Sequence, residues 1–318
     1  GKHRLIDFQK VDLVIANPIV RRNNKYLLEA EKNKAIIYND ASLFLKYCPA
    51  KVVGITGTKG KSTTASLAYH LIKQSKKVYL GGNIRISPFD FLDKLTKKDI
   101  VVLELSSWQC ERLPDIKISP KIAVITNFAK DHLNSYPSYA AYKKAKLNIL
   151  KYQTGSDVAI LNSTIANSMI RGKKILFNNN KKNYFSNDHL YINKNKVLDY
   201  SAIKLQGQHN QENILAAICI AQQLKIHTTA IVRGLQSYRG LSGRAELIAK
   251  KEGISYVNDT TASAPVAAIA TIRAIQAPKI LIAGGVDKAL EYNVFASLII
   301  KQSKRTILLP GSATEILI

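Results

Sequence analysis

Apolar runs of strand length alternate with helical segments through the middle of the chain, and this alternation constrains the fold more than any other feature. The runs are KVVGIT at 51–56, KVYLGG at 77–82, DIVVLEL at 99–105 and KIAVITN at 121–127. Because each run is apolar almost throughout, both faces of its strand are expected to be buried, as in a parallel sheet. The sequence therefore predicts an α/β fold with a mostly parallel central sheet of the P-loop type and helices on both faces.

Changes in this pattern divide the chain into three predicted domains. The first fifty residues hold only two strand-like runs, which make a poor independent sheet. Glycines and a serine interrupt the pattern at 238–244, and a second, Rossmann-like α/β unit follows. We predict a partial N-terminal α/β domain at 1–50, a central domain at 51–240 with a small antiparallel addition around 175–205, and an incomplete C-terminal domain at 241–318.

The composition argues against several classes of protein. Three distant cysteines without CxxC spacing favour a reduced, cytoplasmic compartment over a disulfide framework or a zinc ribbon. No apolar run reaches the roughly 18 residues of a membrane span. Lysine and arginine number 47 against 22 acidic residues, so the net charge is +25. The lysines are scattered over turns, which predicts a solvated basic surface and leaves a basic nucleotide-binding protein that holds nucleic acid as an alternative.

A glycine-rich segment, GTKGKST, lies between the first central strand and a helical stretch. Glycines let backbone N–H groups approach phosphate oxygens, and the N-terminus of the following helix adds a favourable dipole. Lys61 can reach terminal phosphates and Ser62 can ligate Mg²⁺, although Ile55 stands where the full Walker motif has its first glycine. The segment predicts a nucleotide phosphate site. Its members are Gly57, Thr58, Lys59, Gly60, Lys61, Ser62 and Thr63.

Ionisable side chains stand at the carboxyl ends of two further strands. Glu104 ends the run DIVVLEL, and Asp131 and His132 follow the run KIAVITN. Ligands of open α/β sheets bind at the carboxyl ends of the strands, so these side chains are expected to converge on one crevice with the glycine-rich loop. A strand-end acid or a lone histidine is by itself more often structural, whereas several at one edge predict a site for Mg²⁺ or a catalytic water.

Eight short motifs occur in the order seen in the Mur ligase family, which the chain resembles from about residue 11 to its end. They are GTKGKST, ELSSWQ, NFAKDH, YKKAK, GQHNQEN, GRAE, ND and GGVDK, beginning at residues 57, 104, 127, 142, 207, 243, 258 and 284. ELSSWQ favours the family member that adds D-glutamate. The folate polyglutamate synthases are more distant relatives.

The resemblance implies ATP-dependent amide synthesis. The γ-phosphate would pass to the carboxylate of UDP-N-acetylmuramoyl-L-alanine, and the amine of D-glutamate would displace phosphate from the resulting acyl phosphate. Because a carboxylate is a poor electrophile and phosphoryl transfer needs cations, ATP and two Mg²⁺ ions are the implied cofactors. The expected enzyme is a cytoplasmic monomer of peptidoglycan precursor synthesis, with small-molecule substrates and neither a membrane nor a nucleic-acid partner.

The resemblance also implies a catalytic and metal-binding set. Ser62 and Glu104 match one Mg²⁺ position, and His132 matches the second. Lys146 aligns with a lysine that is carbamylated in the family and then offers an anionic oxygen to a metal, although in isolation it would be taken for a solvated helix lysine. Together with Lys61, these residues form the implied reaction centre.

Further positions match substrate contacts of the family. Asn83, Ser106 and Gln109 match contacts to the muramoyl substrate, and Lys288 matches a lysine that receives the D-glutamate carboxylate. Nucleotide contacts are matched by Asn210, Arg244 and Asp259.

Three departures from the family pattern leave alternatives open. Thr261 stands where the family often has a lysine that helps to hold D-glutamate, Arg85 replaces the last glycine of GNIG, and Lys59 replaces the commoner asparagine or threonine. The family also has segments beyond both ends of this chain, so the chain is expected to be short at both ends. The alternatives are a Mur-type amide ligase with a different amino acid, or a nucleotide-binding form without turnover.

Overall fold

The structure is a computed structural model that describes residues 3–84, 86–129, 135–165, 170–179, 181–262, 264–287 and 290–318. The chain forms two compact units, Gly1–Tyr238 and Arg239–Ile318. Short 3₁₀ helices lie at Leu5–Phe8, Pro88–Lys94, Asn148–Leu150 and Tyr200–Ala202.

The first part of the larger unit is a small α/β segment. Its elements are β1 (Leu13–Ile15), α1 (Lys25–Lys32), β2 (Ile36–Tyr38) and α2 (Asp40–Tyr47). β1 and β2 pair in parallel. A capping box formed by Asn39 and Ser42 begins α2, so the start of this helix is closely defined.

A six-stranded parallel sheet forms the centre of the larger unit. Its elements are β3 (Lys51–Thr56), α3 (Lys61–Lys73), β4 (Val78–Gly82), β5 (Ile100–Glu104), α4 (Ser107–Glu111), α5 (Leu113–Ile116), β6 (Ile122–Ile125), α6 (Tyr139–Leu147), β7 (Val158–Asn162) and β8 (Lys173–Phe177). The strand order is β4-β5-β3-β6-β7-β8, with all neighbours parallel. The predicted α/β fold with a mostly parallel central sheet is confirmed.

Alternate residues of the central strands enter two separate cores. In β5, Val102 packs with α3 and with the later helix α7 (Gln208–Gln223) on one face, whereas Val101 and Leu103 pack with α2, α4 and α5 on the other. This arrangement explains why the strands are apolar at consecutive positions: both faces of the sheet are covered.

The larger unit ends with an antiparallel sheet and two helices. The elements are β9 (Tyr184–Ser186), β10 (His189–Ile192), β11 (Asn195–Asp199), α7 (Gln208–Gln223) and α8 (Thr228–Ser237). β10 is the middle strand of the three. The predicted antiparallel addition is therefore present, and Leu190 and Ile192 of β10 pack into the core that α3 and α7 share.

The smaller unit contains two separate two-stranded sheets. Its elements are β12 (Glu246–Lys251), β13 (Ile254–Asn258), α9 (Pro265–Ala274), β14 (Lys279–Ala283), α10 (Asn293–Gln302), β15 (Ser303–Leu308) and α11 (Ser312–Leu317). β12 and β13 form an antiparallel hairpin, and β14 and β15 pair in parallel. Among the described residues of the whole chain, no helix has both the length and the apolar character of a bilayer span.

Candidate active site

The glycine-rich loop connects β3 to α3 and requires a positive φ at two of its glycines. Gly57 and Gly60 both have positive φ, 143° and 79°. A Cβ added at Gly57 would collide with Thr126 Oγ1, and one added at Gly60 would collide with Asn213 Oδ1. The loop therefore adopts a conformation that only glycine allows at these two points, and its backbone is closely packed against its neighbours.

Side chains and backbone at the end of β6 hold this loop from one side. The Thr58 N–H donates to Asn127 O at 3.0 Å, and the Lys59 N–H donates to Asn127 Oδ1 at 2.9 Å. Asn127 Nδ2 and Thr126 Oγ1 both donate to Lys59 O, at 3.1 Å and 2.6 Å. Because these contacts do not depend on a ligand, the loop has its shape before a phosphate binds.

The first turn of α3 carries the two polar side chains expected to meet phosphate and metal. Lys61 begins the helix, and its Nζ donates to Thr58 O at 3.0 Å, which places the ammonium over the loop. Lys61 and Ser62 are partly exposed, whereas Thr63 is buried. The charge of Lys61 and the N-terminal dipole of a 13-residue helix both favour an anion at this point.

Glu104 lies at the end of β5, paired in register with Ile55 of β3, and is therefore next to the loop. Its side chain is only 2% exposed. Oε1 accepts a hydrogen bond from Asn83 Nδ2 at 3.1 Å, whereas Oε2 is buried and has no partner among the described residues. An ionised oxygen in this state is costly unless a donor or cation meets it, and carboxylates are preferred ligands of Mg²⁺.

Helix α6 brings Lys146 to the same edge of the sheet. Lys146 is only 2% exposed, and its Nζ lies 4.6 Å from the centroid of the Tyr142 ring. The Tyr142 hydroxyl donates to Thr58 Oγ1 at 3.2 Å, so the helix is bonded to the phosphate loop. Burial raises the pKa of the Cys110 thiol to about 11, while the nearby charges of Lys146 and Lys61 act to lower it.

Three of the predicted substrate residues line one cleft of about 410 Å³. They are Asn83, Ser106 and Gln109, and the remaining lining comes from Asn17, Pro18, Ile19, Asp40, Gly82 and Trp108. Ser106 and Gln109 form the capping box that begins α4. Since Asn83 also donates to Glu104, the cleft ends beside the predicted metal site.

Comparisons with known proteins agree with this arrangement. Residues 55–221 match the model of the Mur ligase middle domain. The chain is 35% identical to UDP-N-acetylmuramoylalanine--D-glutamate ligase of Clostridium kluyveri over 326 residues, covering 99% of this chain and 70% of that protein. The counterpart from Clostridium tetani is 36% identical with the same coverage of each. The chain belongs to the Mur ligase family.

Solved Mur ligases share the fold. MurF ligase from Thermotoga maritima in complex with ADP superposes with a TM-score of 0.63 at 19% identity, covering 98% of this chain and 87% of that chain. UDP-N-acetylmuramate-alanine ligase from the same organism gives a TM-score of 0.62 at 20% identity, covering 99% and 75%. As a Mur ligase, this chain is an ATP-dependent enzyme that forms an amide bond.

The residues of this Mur ligase fit Mg²⁺ and ATP at the sheet edge. Glu104 Oε2 is a buried carboxylate oxygen that no described residue meets, and such oxygens are the ligands that a hard cation takes. Ser62 supplies a hydroxyl from the first turn of α3, and the backbone N–H groups of that turn are the ones suited to a phosphate, because the first N–H groups of a helix have no partner within it. Among the described residues, no group of three or more histidine, cysteine, aspartate or glutamate side chains is arranged to hold a metal ion.

Asn210 is linked to the phosphate loop through one intermediate residue. Asn210 Oδ1 accepts from Asn213 Nδ2 at 3.0 Å, and Asn213 Oδ1 accepts from Thr64 Oγ1 at 3.2 Å beside Gly60. Sequence reasoning did not single out Asn213, although it ends the motif GQHNQEN that contains Asn210. Its burial on α7 beside the loop, which only the fold shows, is what identifies it.

In the smaller unit, the motifs that carry Arg244 and Asp259 lie against each other. Asp259 Oδ1 accepts from the Ala245 N–H at 2.9 Å, directly after Arg244 in the chain. Thr261 donates its hydroxyl to Gly243 O at 2.7 Å, and its N–H reaches the same oxygen at 2.9 Å. The structure thus places both predicted nucleotide residues in one loop cluster. His132 and Lys288, together with Asp131 and Arg85, lie outside the described residues.

Proposed function

We propose that this Mur ligase joins D-glutamate to UDP-N-acetylmuramoyl-L-alanine in the cytoplasmic synthesis of peptidoglycan precursors. The observation that carries the proposal is the buried Oε2 of Glu104, which has no partner in the described part of the chain and lies next to the phosphate loop and to Asn83 of the cleft. The names of the relatives at 35% and 36% identity, together with the motif ELSSWQ, support D-glutamate as the amino acid.

Each part of the site has a role in this reaction. The N–H groups of the first turn of α3 and Lys61 would hold the ATP phosphates, Lys61 exchanging its bond to Thr58 O for a phosphate oxygen. Ser62 and Glu104 would hold one Mg²⁺, and Lys146, once carbamylated, would join His132 at a second. Mg²⁺ supplies positive charge to the transferring phosphoryl group.

The cleft would hold the muramoyl arm so that its carboxylate faces the γ-phosphate. Asn83 connects the two regions because it lines the cleft and donates to Glu104. The carboxylate oxygen attacks phosphorus, ADP leaves, and the acyl phosphate forms. The amine of D-glutamate then attacks the acyl carbon, loses a proton and expels inorganic phosphate, with Lys288 as the proposed contact of its carboxylate.

A second candidate is a Mur-type ligase that accepts a different amino acid, and Thr261 favours it. The family often has a lysine at this position, whereas the Thr261 hydroxyl is already bonded to Gly243 O. At this position the smaller unit thus has a short, neutral side chain that is already hydrogen-bonded, whereas a lysine would attract the carboxylate of the amino acid. The nucleotide contacts of Asn210, Arg244 and Asp259 stay predictions, as do the monomeric state and the cytoplasmic location.

The decisive experiment measures phosphate release from ATP with UDP-N-acetylmuramoyl-L-alanine and a panel of amino acids. Release that requires both the muramoyl substrate and D-glutamate supports the proposal, and dependence on another amino acid supports the second candidate. Lys61→Ala is the matched control, because it removes the phosphate contact without touching the core. We expect it to lower turnover by about 10²–10³-fold or more with an unchanged fold. Nucleotide binding without any release would contradict the ligase proposal for this chain.

A further inference from the structure

The two carboxylate oxygens of Asp40, at the substrate cleft, differ in their hydrogen bonding to the described residues. It is the first residue of α2 and lines the cleft together with Gln109. Its Oδ2 accepts a hydrogen bond from Gln109 Nε2 at 2.9 Å. Its Oδ1 is buried and has no hydrogen-bond partner among the described residues. No motif of the sequence pointed to this aspartate.

The carboxylate of Asp40 is fixed in orientation by the residues around it. Gln109 Oε1 accepts from the Ser106 N–H at 2.9 Å, so the amide of Gln109 is held at both ends. Asn39 Nδ2 donates to Gln109 O at 3.1 Å and thereby ties α2 to α4. Rotating Asp40 to satisfy Oδ1 elsewhere would break its bond to Gln109. A buried acceptor that is left unsatisfied is costly, so a donor is expected to reach Oδ1 when the cleft is filled.

The composition of the cleft restricts which ligand group can provide this donor. Of the described residues that line it, Asp40 is charged and the others are neutral. Pro18, Ile19 and Trp108 add apolar surface. A ligand carboxylate at this end would face an unneutralised negative charge, whereas an amide N–H or a hydroxyl would satisfy Oδ1. Cations are expected at Glu104, which accepts a hydrogen bond from the lining residue Asn83.

We propose that Asp40 is a specificity-determining residue, which accepts a hydrogen bond from a neutral N–H or O–H group of the acyl substrate. This inference rests on the proposed function and adds the group that sets the direction of the substrate in the cleft. The acyl substrate carries amide N–H groups close to a single reactive carboxylate. Asp40 would accept from a donor and repel the carboxylate, so the carboxylate is directed to the phosphate loop.

The test compares Asp40→Asn and Asp40→Ala with the unaltered enzyme. In Asp40→Asn, the amide oxygen can still accept from Gln109, while an NH₂ donor replaces Oδ1 and faces the substrate donor. We expect the KM for UDP-N-acetylmuramoyl-L-alanine to rise about tenfold or more, since a hydrogen bond to a charged group is lost. The KM for ATP and the thermal midpoint should stay unchanged. Asp40→Ala should raise the same KM and also lower the thermal midpoint.

Two outcomes would overturn the inference. An unchanged KM in Asp40→Asn would show that the substrate does not use Oδ1. Equal changes in the KM values for the muramoyl substrate and ATP would show that Asp40 only supports the structure. Failure of the proposed function is recognised separately, because the unaltered enzyme would then neither bind UDP-N-acetylmuramoyl-L-alanine in a calorimetric titration nor release phosphate with it.

Discussion

Two strands of this chain, β5 and β14, are both rich in apolar residues and pair in parallel, but they differ greatly in burial. β5, with the sequence IVVLE, is buried along its whole length, whereas β14, with the sequence KILIA, alternates between partly buried and exposed positions. Ile280 and Ile282 of β14 are 62% and 63% exposed, while Leu281 and Ala283 pack against α9 and α10. An apolar run therefore predicts a strand, but the helices of its own unit decide whether one face or both are buried.

The largest expected effect comes from the same substitution made in both sheets. Ile125 in β6 is fully buried between β3 and β7, so Ile125→Ala should lower the free energy of unfolding of the larger unit by about 2–5 kcal/mol. Ile282→Ala, at a mostly exposed site, should change the stability of the smaller unit by about 0.5 kcal/mol or less. Denaturant titration with hydrogen exchange separates the two units. Comparable losses at both sites would show that the outer face of β14 is covered in solution.

An aspartate stands directly before each of the central strands β5 and β7, whereas Pro278 and Gln302 stand directly before β14 and β15 of the smaller unit. Asp99 precedes β5 and accepts from the N–H and hydroxyl of Thr96 at 2.7 and 2.8 Å; Asp157 precedes β7 and accepts from Thr154 at 2.7 and 3.0 Å. The hydrogen bonds from Thr96 lower the pKa of Asp99. For Asp157, burial acts to raise the pKa, but bonds from Thr154 and Lys121 outweigh it and the pKa is lowered.

These lowered pKa values predict that the larger unit loses stability in acid. A carboxyl whose pKa is lower in the folded state stabilises the fold above its ordinary pKa of 3.8, and this contribution disappears as the pH falls below that value. The double variant Asp99→Asn and Asp157→Asn should show a flatter dependence of the unfolding midpoint on pH between 7 and 3. Asp93→Asn, at an exposed position, is the control. If the double variant kept the same dependence of the unfolding midpoint on pH, Asp99 and Asp157 would not be the cause of the acid sensitivity.

Much of the fold and part of the site could be predicted because their signals are local. The runs at 51–56, 99–105 and 121–127 became β3, β5 and β6 since buried parallel strands are apolar at every position. β12 was not predicted. Its sequence, ELIAKK, has charged residues at its ends, and its pairing with β13 depends on a contact across the hairpin rather than on its own pattern.

The site also contains contacts that the local sequence pattern could not reveal. The phosphate loop could be identified from adjacent residues, whereas Asp40 and Gln109 are 69 positions apart and meet only because α2 packs near α4. Lys146 is a further example. Its sequence neighbours YKKA are those of an ordinary solvated helix, and only the fold shows that its ammonium is buried against Tyr142. Tertiary contacts of this kind leave no periodic or local signal in one sequence.

The smallest predicted effect concerns how the loop at the sheet edge is held. Tyr142 is buried, and its hydroxyl donates to Thr58 Oγ1, which also accepts from the Ala129 N–H. In the smaller unit, the loop after β14 is held at Asp287, whose N–H donates to the Ser312 hydroxyl at 2.9 Å and whose Oδ1 accepts from the Tyr292 hydroxyl at 3.0 Å. Tyr142→Phe keeps the ring beside Lys146 and removes one hydrogen bond.

We expect Tyr142→Phe to lower the free energy of unfolding of the larger unit by about 0.5–1.5 kcal/mol and to weaken ATP binding in a calorimetric titration. Tyr69→Phe is the matched control, because Tyr69 also has a lysine four residues later, Lys73, at 5.7 Å from its ring, but lies partly exposed on α3. It should leave both quantities unchanged. If both variants bind ATP as the unaltered enzyme does, the contacts of Thr126 and Asn127 suffice to shape the loop. A defect confined to Tyr142→Phe would instead show that α6, which carries Lys146, sets the position of the loop that receives the phosphates.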